Sequence, residues 1–159
     1  KPAPKKPVVT PPPLQAGYFP VVGSSWTYGG ADMKFGAART GHTHQGQDVA
    51  GDEGTMLVAP VAGTITYVGF QDFGAGYYFV LHAEDGRDLV FMHCQKGSIR
   101  FRAGQTVAAN RWVARLGNTG HSTGPHLHFE IWVGGWYTGG HPIDPLPQLK
   151  AWEKLSRRR

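Results

Sequence analysis

Gly124-Pro125-His126-Leu127-His128-Phe129-Glu130-Ile131-Trp132-Val133 is the stretch that decides the fold. In a strand, residues i and i+2 point the same way. Leu127, Phe129, Ile131 and Val133 then seal a core, while His126, His128, Glu130 and Trp132 share the opposite face. That pattern predicts two imidazoles and a carboxylate facing a groove or solvent. Pro125, which cannot donate to a ladder, stands where a strand begins. Neighbouring residues on that face lie ~6–7 Å apart along the strand, so two imidazoles can reach one metal ion, or one can bind while the other reaches water beside it.

Working outward, Tyr77–His82, Asp88–Met92 and the alternating, turning run from Gly54 to Phe70 also read as strands. Glu84-Asp85-Gly86 and Gly134-Gly135 are hairpin signals. The only helical stripe is short, over Pro147–Leu155, with Leu149, Trp152 and Leu155 as its hydrophobes. The fold class is therefore mainly β. A second arrangement, His44-Gln45-Gly46-Gln47-Asp48, precedes these strands. Fully extended, His44 and Asp48 would stand ~13 Å apart, too far for one metal ion. Gly46 is placed to bend the backbone between them.

The 159 residues suit one domain plus tails. The single Cys94 excludes a disulfide framework, a multi-cysteine zinc knuckle and an iron–sulfur site. No run approaches the ~18 apolar residues of a membrane span. The formal charge of +5 suggests nucleic acid until it is partitioned. Residues 1–13 carry +3, residues 150–159 carry +4 and the body over 14–149 carries −2. A nucleic-acid partner is excluded on that partition and on the absence of any such motif. The basic ends read as solvated tails, with attraction to anionic polymers as their one expected extra role. With six prolines in its first thirteen residues, the segment 1–17 reads as a basic, proline-rich linker. Beyond it come a domain over 18–146 and a short helix with a basic tail over 147–159. A chain starting at Lys1 rather than Met reads as either a processed form or an excised piece, so that a leader can already be gone.

The string from Gly117 to Glu130, GNTGHSTGPHLHFE, resembles the signature of lysostaphin-type zinc endopeptidases, which cut peptidoglycan cross-bridges. Phe19-Pro20-Val21, His44-x-Gly46-x-Asp48, Ala59–Ile65 and Phe91-Met92-His93 extend the match, in family order, over residues 18–133. The resemblance implies an antiparallel β-sheet, or barrel-sandwich, core forming a substrate groove. It implies one zinc ion held by His44, Asp48 and His128, with His93 and His126 as the catalytic pair, either of them the general base. Three ligands of this kind leave a fourth position open for water, whose pKa zinc lowers toward ~7. The implied protein is a secreted or periplasmic monomer acting on peptidoglycan peptides. Gln47, Cys94 and the run Val107–Leu116 depart from the family pattern without removing a ligand.

Two rival readings fit the residues less well. A non-hydrolytic wall-binding or hydrolase-activating relative would typically lack ligands that this chain keeps, and a cupin-type site needs a glutamate further downstream. His42, His82, His121 and His141 read as structural or surface groups, with His42 and His121 near enough to the motifs to line a groove. Cys94 reads as a small buried hydrophobe rather than a nucleophile. Glu130 reads as a supporting or strand-surface group. Gly117, Gly120 and Gly124 are expected to shape the loop that leads into the histidine strand.

Overall fold

The computed structural model describes residues 11–159. The first ten positions of the linker expected over 1–17 lie outside the described residues. In chain order the strands are β1 (Trp26–Thr27), β2 (Ala38–Arg39), β3 (His42–Thr43), β4 (Gln47–Gly51), β5 (Met56–Val58), β6 (Gly63–Gln71) and β7 (Gly76–Ala83). They continue as β8 (Asp88–Cys94), β9 (Thr106–Val107), β10 (Trp112–Arg115), β11 (His126–Val133) and β12 (His141–Ile143). One α-helix, α1 (Leu146–Ser156), closes the chain, a residue longer at each end than its sequence pattern.

Every pairing in the main sheet is antiparallel, in the order β1-β4-β11-β8-β7-β6-β9, and β12 also pairs with β11. Both hairpin signals are realised, since β7 turns into β8 through Glu84–Arg87 and β11 into β12 after Gly134. The histidine strand is central. Its first half pairs with β4 and its second half with β12, while β8 lies along its other side. The expected mainly-β, antiparallel architecture is what the chain forms.

The core lies between the main sheet, the small β5–β10 sheet and α1. Register brings Phe79 opposite Phe91 and Phe91 opposite Phe129. Their rings pack at 4.6 and 5.2 Å, and Trp152 of α1 meets Phe129 at 6.3 Å. This ladder ties three strands to the helix, and aromatic pairs of this kind contribute beyond their buried area. Asp144 Oδ1 accepts from the Leu146 N–H at the start of α1, where Pro147 loses no helical hydrogen bond. Leu149 and Trp152 are fully buried, so the helix is a wall of the core.

The first described residues run back along α1. Leu14 N–H donates to Gln148 Oε1, Trp152 Nε1 donates to Ala16 O, and Phe19 N–H donates to Ser156 Oγ. The basic C-terminal end, expected to be solvated, is partly held here. Arg159 donates to Gly17 O and stacks over Tyr18, and Arg157 pairs with Glu153.

The opposite face of the main sheet carries a smaller cluster of Tyr78, Val80, Val90 and Trp132, flanked by Met92 and Trp136. The sheet is thus apolar on both faces. The second face turns polar at the start of β11 and the end of β8, and again at the opposite end of β8, where Asp88 meets His82.

Candidate metal centre

Antiparallel register sets Asp48 of β4 directly opposite His128 of β11. His44 lies three residues before the first strand-paired residue of β4, on a loop anchored by Gly36 N–H to His44 O and His44 N–H to Ala37 O. The loop closes the ~13 Å gap of the extended form: His44 Nε2 stands 3.1 Å from Asp48 Oδ1. Gly46 allows this by its lack of a side chain. A Cβ there would lie 2.4 Å from Phe129 O and 2.9 Å from His128 Nε2. Its φ is not left-handed, so the glycine serves close approach, not the backbone bend that sequence suggested.

His44 Nε2, His128 Nδ1 and Asp48 Oδ1 form a triangle with edges of 2.9, 2.9 and 3.1 Å. All three residues are buried. Each ring has its outer nitrogen committed. His44 Nδ1–H donates to Lys34 O at 2.9 Å, and His128 Nε2–H donates to Glu130 Oε1 at 2.8 Å. The inner nitrogens therefore present lone pairs to each other and to a carboxylate oxygen. Three acceptors with no donor between them repel unless a cation sits among them. Two nitrogens and one oxygen suit zinc, whose ligands at ~2.0–2.1 Å in a tetrahedron stand ~3.3 Å apart. The donor set fits such an ion.

A proton meets the same demand. Burial alone would lower the pKa of His128, but its hydrogen bonds to Asp48 and Glu130, together with their charges, push it up to about 9. Burial would raise Asp48; the hydrogen bonds from His128 and His44 outweigh it and hold the carboxyl well below the usual carboxylate range.

His126, opposite Ala50, and His93, at the end of β8, complete the group. Their rings are 4.6 Å apart, and His126 Nε2 lies 3.7 Å from Asp48 Oδ1. His93 Nδ1–H donates to Thr119 O at 2.7 Å, and His126 Nδ1–H donates to Gly124 O at 2.8 Å. In both, Nε2 is left for the site. His93 has a left-handed φ of 62°, and its N–H is tied to Ala75 O. Such strain in a non-glycine residue persists only where its surroundings enforce it. Burial and the neighbouring His126 push the His93 ring down to about 4, against its hydrogen bond to Thr119, so it is neutral at neutral pH.

All five candidate residues thus come together. Glu130 does not face a groove or solvent: it is 2% exposed, sealed by Trp132 Nε1–H, which donates to its second oxygen at 2.6 Å. The i+2 pattern puts the three side chains on one face, and there His128 and Trp132 hold the carboxylate between them, with Tyr137 packed against Trp132. Thr119, within the quoted motif but given no role, holds His93 through its carbonyl while its Oγ1 donates to Cys94 O. Gly124 borders open space and has no steric reason to be glycine. His42, His82, His121 and His141 are exposed, and Cys94 is fully buried with its thiol pushed up to about 12 by burial.

A mainly-β sheet presenting a buried His/Asp/His cluster beside two further histidines defines a protein class able to hold a metal ion with a coordination position left open. The sequence profile described as Peptidase family M23 matches residues 42–145, and the chain belongs to that family. An uncharacterized metalloprotease of Haemophilus influenzae is 42% identical over 103 residues, covering 65% of this chain and 20% of that protein. Lysostaphin of Staphylococcus staphylolyticus is 33% identical over 112 residues, 70% of this chain and 23% of its own length. The peptidoglycan DD-endopeptidase ShyC of Vibrio cholerae is 28% identical over 108 residues, 68% of this chain and 24% of its own. The chain spans about a fifth to a quarter of these relatives. Among solved structures, the catalytic domain of the antimicrobial peptidase lysostaphin from Staphylococcus simulans superposes with a TM-score of 0.66 at 30% identity, covering 74% of this chain and 89% of that one. A zinc-containing peptidase from Vibrio cholerae gives 0.67 at 27% identity, covering 84% and 39%.

Proposed function

We propose that this chain is a zinc-dependent endopeptidase of the extracytoplasmic space that hydrolyses peptide bonds in peptidoglycan stems or cross-bridges. The observation that carries this reading is the close triangle of His44 Nε2, Asp48 Oδ1 and His128 Nδ1, with two histidines beside it whose Nε2 atoms are uncommitted. His44, Asp48 and His128 are its proposed zinc ligands, and residues 18–146 its peptidase domain, with a linker before and a helix and basic tail after. A bound zinc ion supplies Lewis acidity, which polarises a peptide carbonyl and acidifies water.

The chain's own residues handle protons and charge. One of His93 and His126 accepts a proton from the attacking water through Nε2 and returns it to the leaving amine as the carbon–nitrogen bond breaks. The other, when protonated on Nε2 as well, donates to the oxygen on which negative charge develops. Their Nδ1–H bonds to Thr119 O and Gly124 O fix the ring orientations this needs. With its pKa lowered to about 4, His93 stays ready to accept a proton down to mildly acidic pH.

Zinc-loaded wild type should release new amino termini from peptidoglycan, while Asp48→Ala or His128→Ala should lose both stoichiometric metal and lysis. Mass spectrometry of fragments from walls of defined cross-bridge chemistry, with and without chelator, identifies the bond. A zinc-loaded wild type that released no amino termini from any wall type would overturn the reading.

A further inference from the structure

The body's charge of −2 conceals a sharp segregation. Five of its eight basic residues, Lys96, Arg100, Arg102, Arg111 and Arg115, fall within residues 95–116, which contain no Asp or Glu. The other three, Lys34, Arg39 and Arg87, share the rest of the body with ten acidic residues.

Three of the five converge. A cleft of about 300 Å³ is lined by Lys96, Arg100 and Arg115 with Gln95, Ser98 and Trp112. Both guanidiniums lie over the Trp112 indole, at 3.9 and 4.5 Å from its centroid. The frame is fixed: Arg100 N–H donates to Val113 O, Arg115 N–H to Ser98 Oγ, and Arg115 Nη1 to Gly54 O. Among the described residues, none of the three cations forms an ion pair, and no lining residue is acidic. Three like charges held together without a counter-charge repel one another, and a bound anion removes that cost. Guanidinium edges suit the paired oxygens of carboxylate and phosphate. Trp112 offers little to a stacking ligand, because both guanidiniums lie over its ring and its Nε1–H is donated to Ala114 O.

We infer that this cleft is an oxyanion-binding site that holds a carboxylate or phosphate group of the cell-envelope polymer. Its two walls run directly into the site: Lys96 lies three residues after His93, and Arg115 two residues before Gly117, which bridges to His126. Binding there would keep polymer beside the catalytic end and raise its effective concentration. The choice of an envelope polymer rests on the proposed peptidoglycan-cleaving function; the cleft's affinity for oxyanions does not.

The test is binding by the full chain in chelator, where cleavage is silent and failure of the hydrolytic reading leaves the result untouched. One arm uses sacculi stripped of phosphate polymers, whose stems carry carboxylates; a second uses poly(glycerol phosphate); a third uses duplex DNA. Wild type is compared with the triple variant Lys96→Gln/Arg100→Gln/Arg115→Gln, with Lys96→Glu at the exposed turn, and with Arg102→Gln outside the cleft. The triple variant should bind one or both envelope polymers roughly ten-fold more weakly, with a salt dependence shallower by about two charges. Lys96→Glu, which changes no packed side chain, should weaken binding in the same arm, and Arg102→Gln should not. Loss on sacculi alone assigns a carboxylate, loss on poly(glycerol phosphate) alone a phosphate. Equal binding by wild type and triple variant in both arms overturns the proposal, as does DNA bound as tightly as either envelope polymer.

Discussion

Glu130 gains its importance from having two oxygens and two donors. Oε1 accepts from His128 and Oε2 from Trp132. In Glu130→Gln the amide has one acceptor and must turn N–H groups toward the other donor. Metal affinity should therefore fall by roughly 10–100-fold, measured by competition with a chromogenic chelator. Thr119 offers a cleaner comparison. Its Oγ1 donates to Cys94 O and accepts from Tyr77 N–H, bracketing the left-handed His93. Thr119→Ser keeps both bonds and should match wild type in denaturant melts and activity. Thr119→Val loses both, and should cost about 1–3 kcal/mol with a larger fall in kcat than in KM. At this scale the five histidine and aspartate positions were legible from motif and order. Thr119 was not, because its partners Tyr77, His93 and Cys94 lie on segments that only the fold brings near; Glu130's partners are its own strand neighbours, but its burial is a property of the folded site.

The strands were legible wherever apolar residues alternate, as in β11 and β8, and the helix from its Leu149, Trp152 and Leu155 spacing. What sequence withheld was pairing. That β4 lies beside β11, with Asp48 opposite His128, follows from no local pattern, since the two strands are far apart in the chain. The short strands β1, β2, β3, β9 and β12 gave too few residues for alternation to register. The aromatic ladder makes a further expectation at this scale. Trp152→Ala removes the helix's contact with Phe129 and should destabilise by about 3–5 kcal/mol in a denaturant titration. Because α1 lies behind the sheet, whatever fraction stays folded should keep its metal affinity.

For the whole molecule, opposite shifts at two histidines give the metal-free protein a peaked stability profile. His93 has its folded pKa lowered from 6.5 to about 4, so its contribution is full above the unfolded value and is lost as pH falls through 4. His128 is raised from 6.5 to about 9, so its contribution is full below 6.5 and is lost as pH rises through 9. Thermal melts in chelator should peak near pH 6.5 and decline on both sides. Zinc should flatten the alkaline decline, because metal binding displaces the His128 proton. The contacts between Leu14–Phe19 and α1 carry a different consequence, one of timing. They join residues more than 130 positions apart. As the chain emerges from the ribosome, Leu14–Phe19 therefore has no partner until α1 is made. The core stays open along that seam until α1 is made, so its closure is a late step in the folding of this domain and, by its long loop closure, among the slowest.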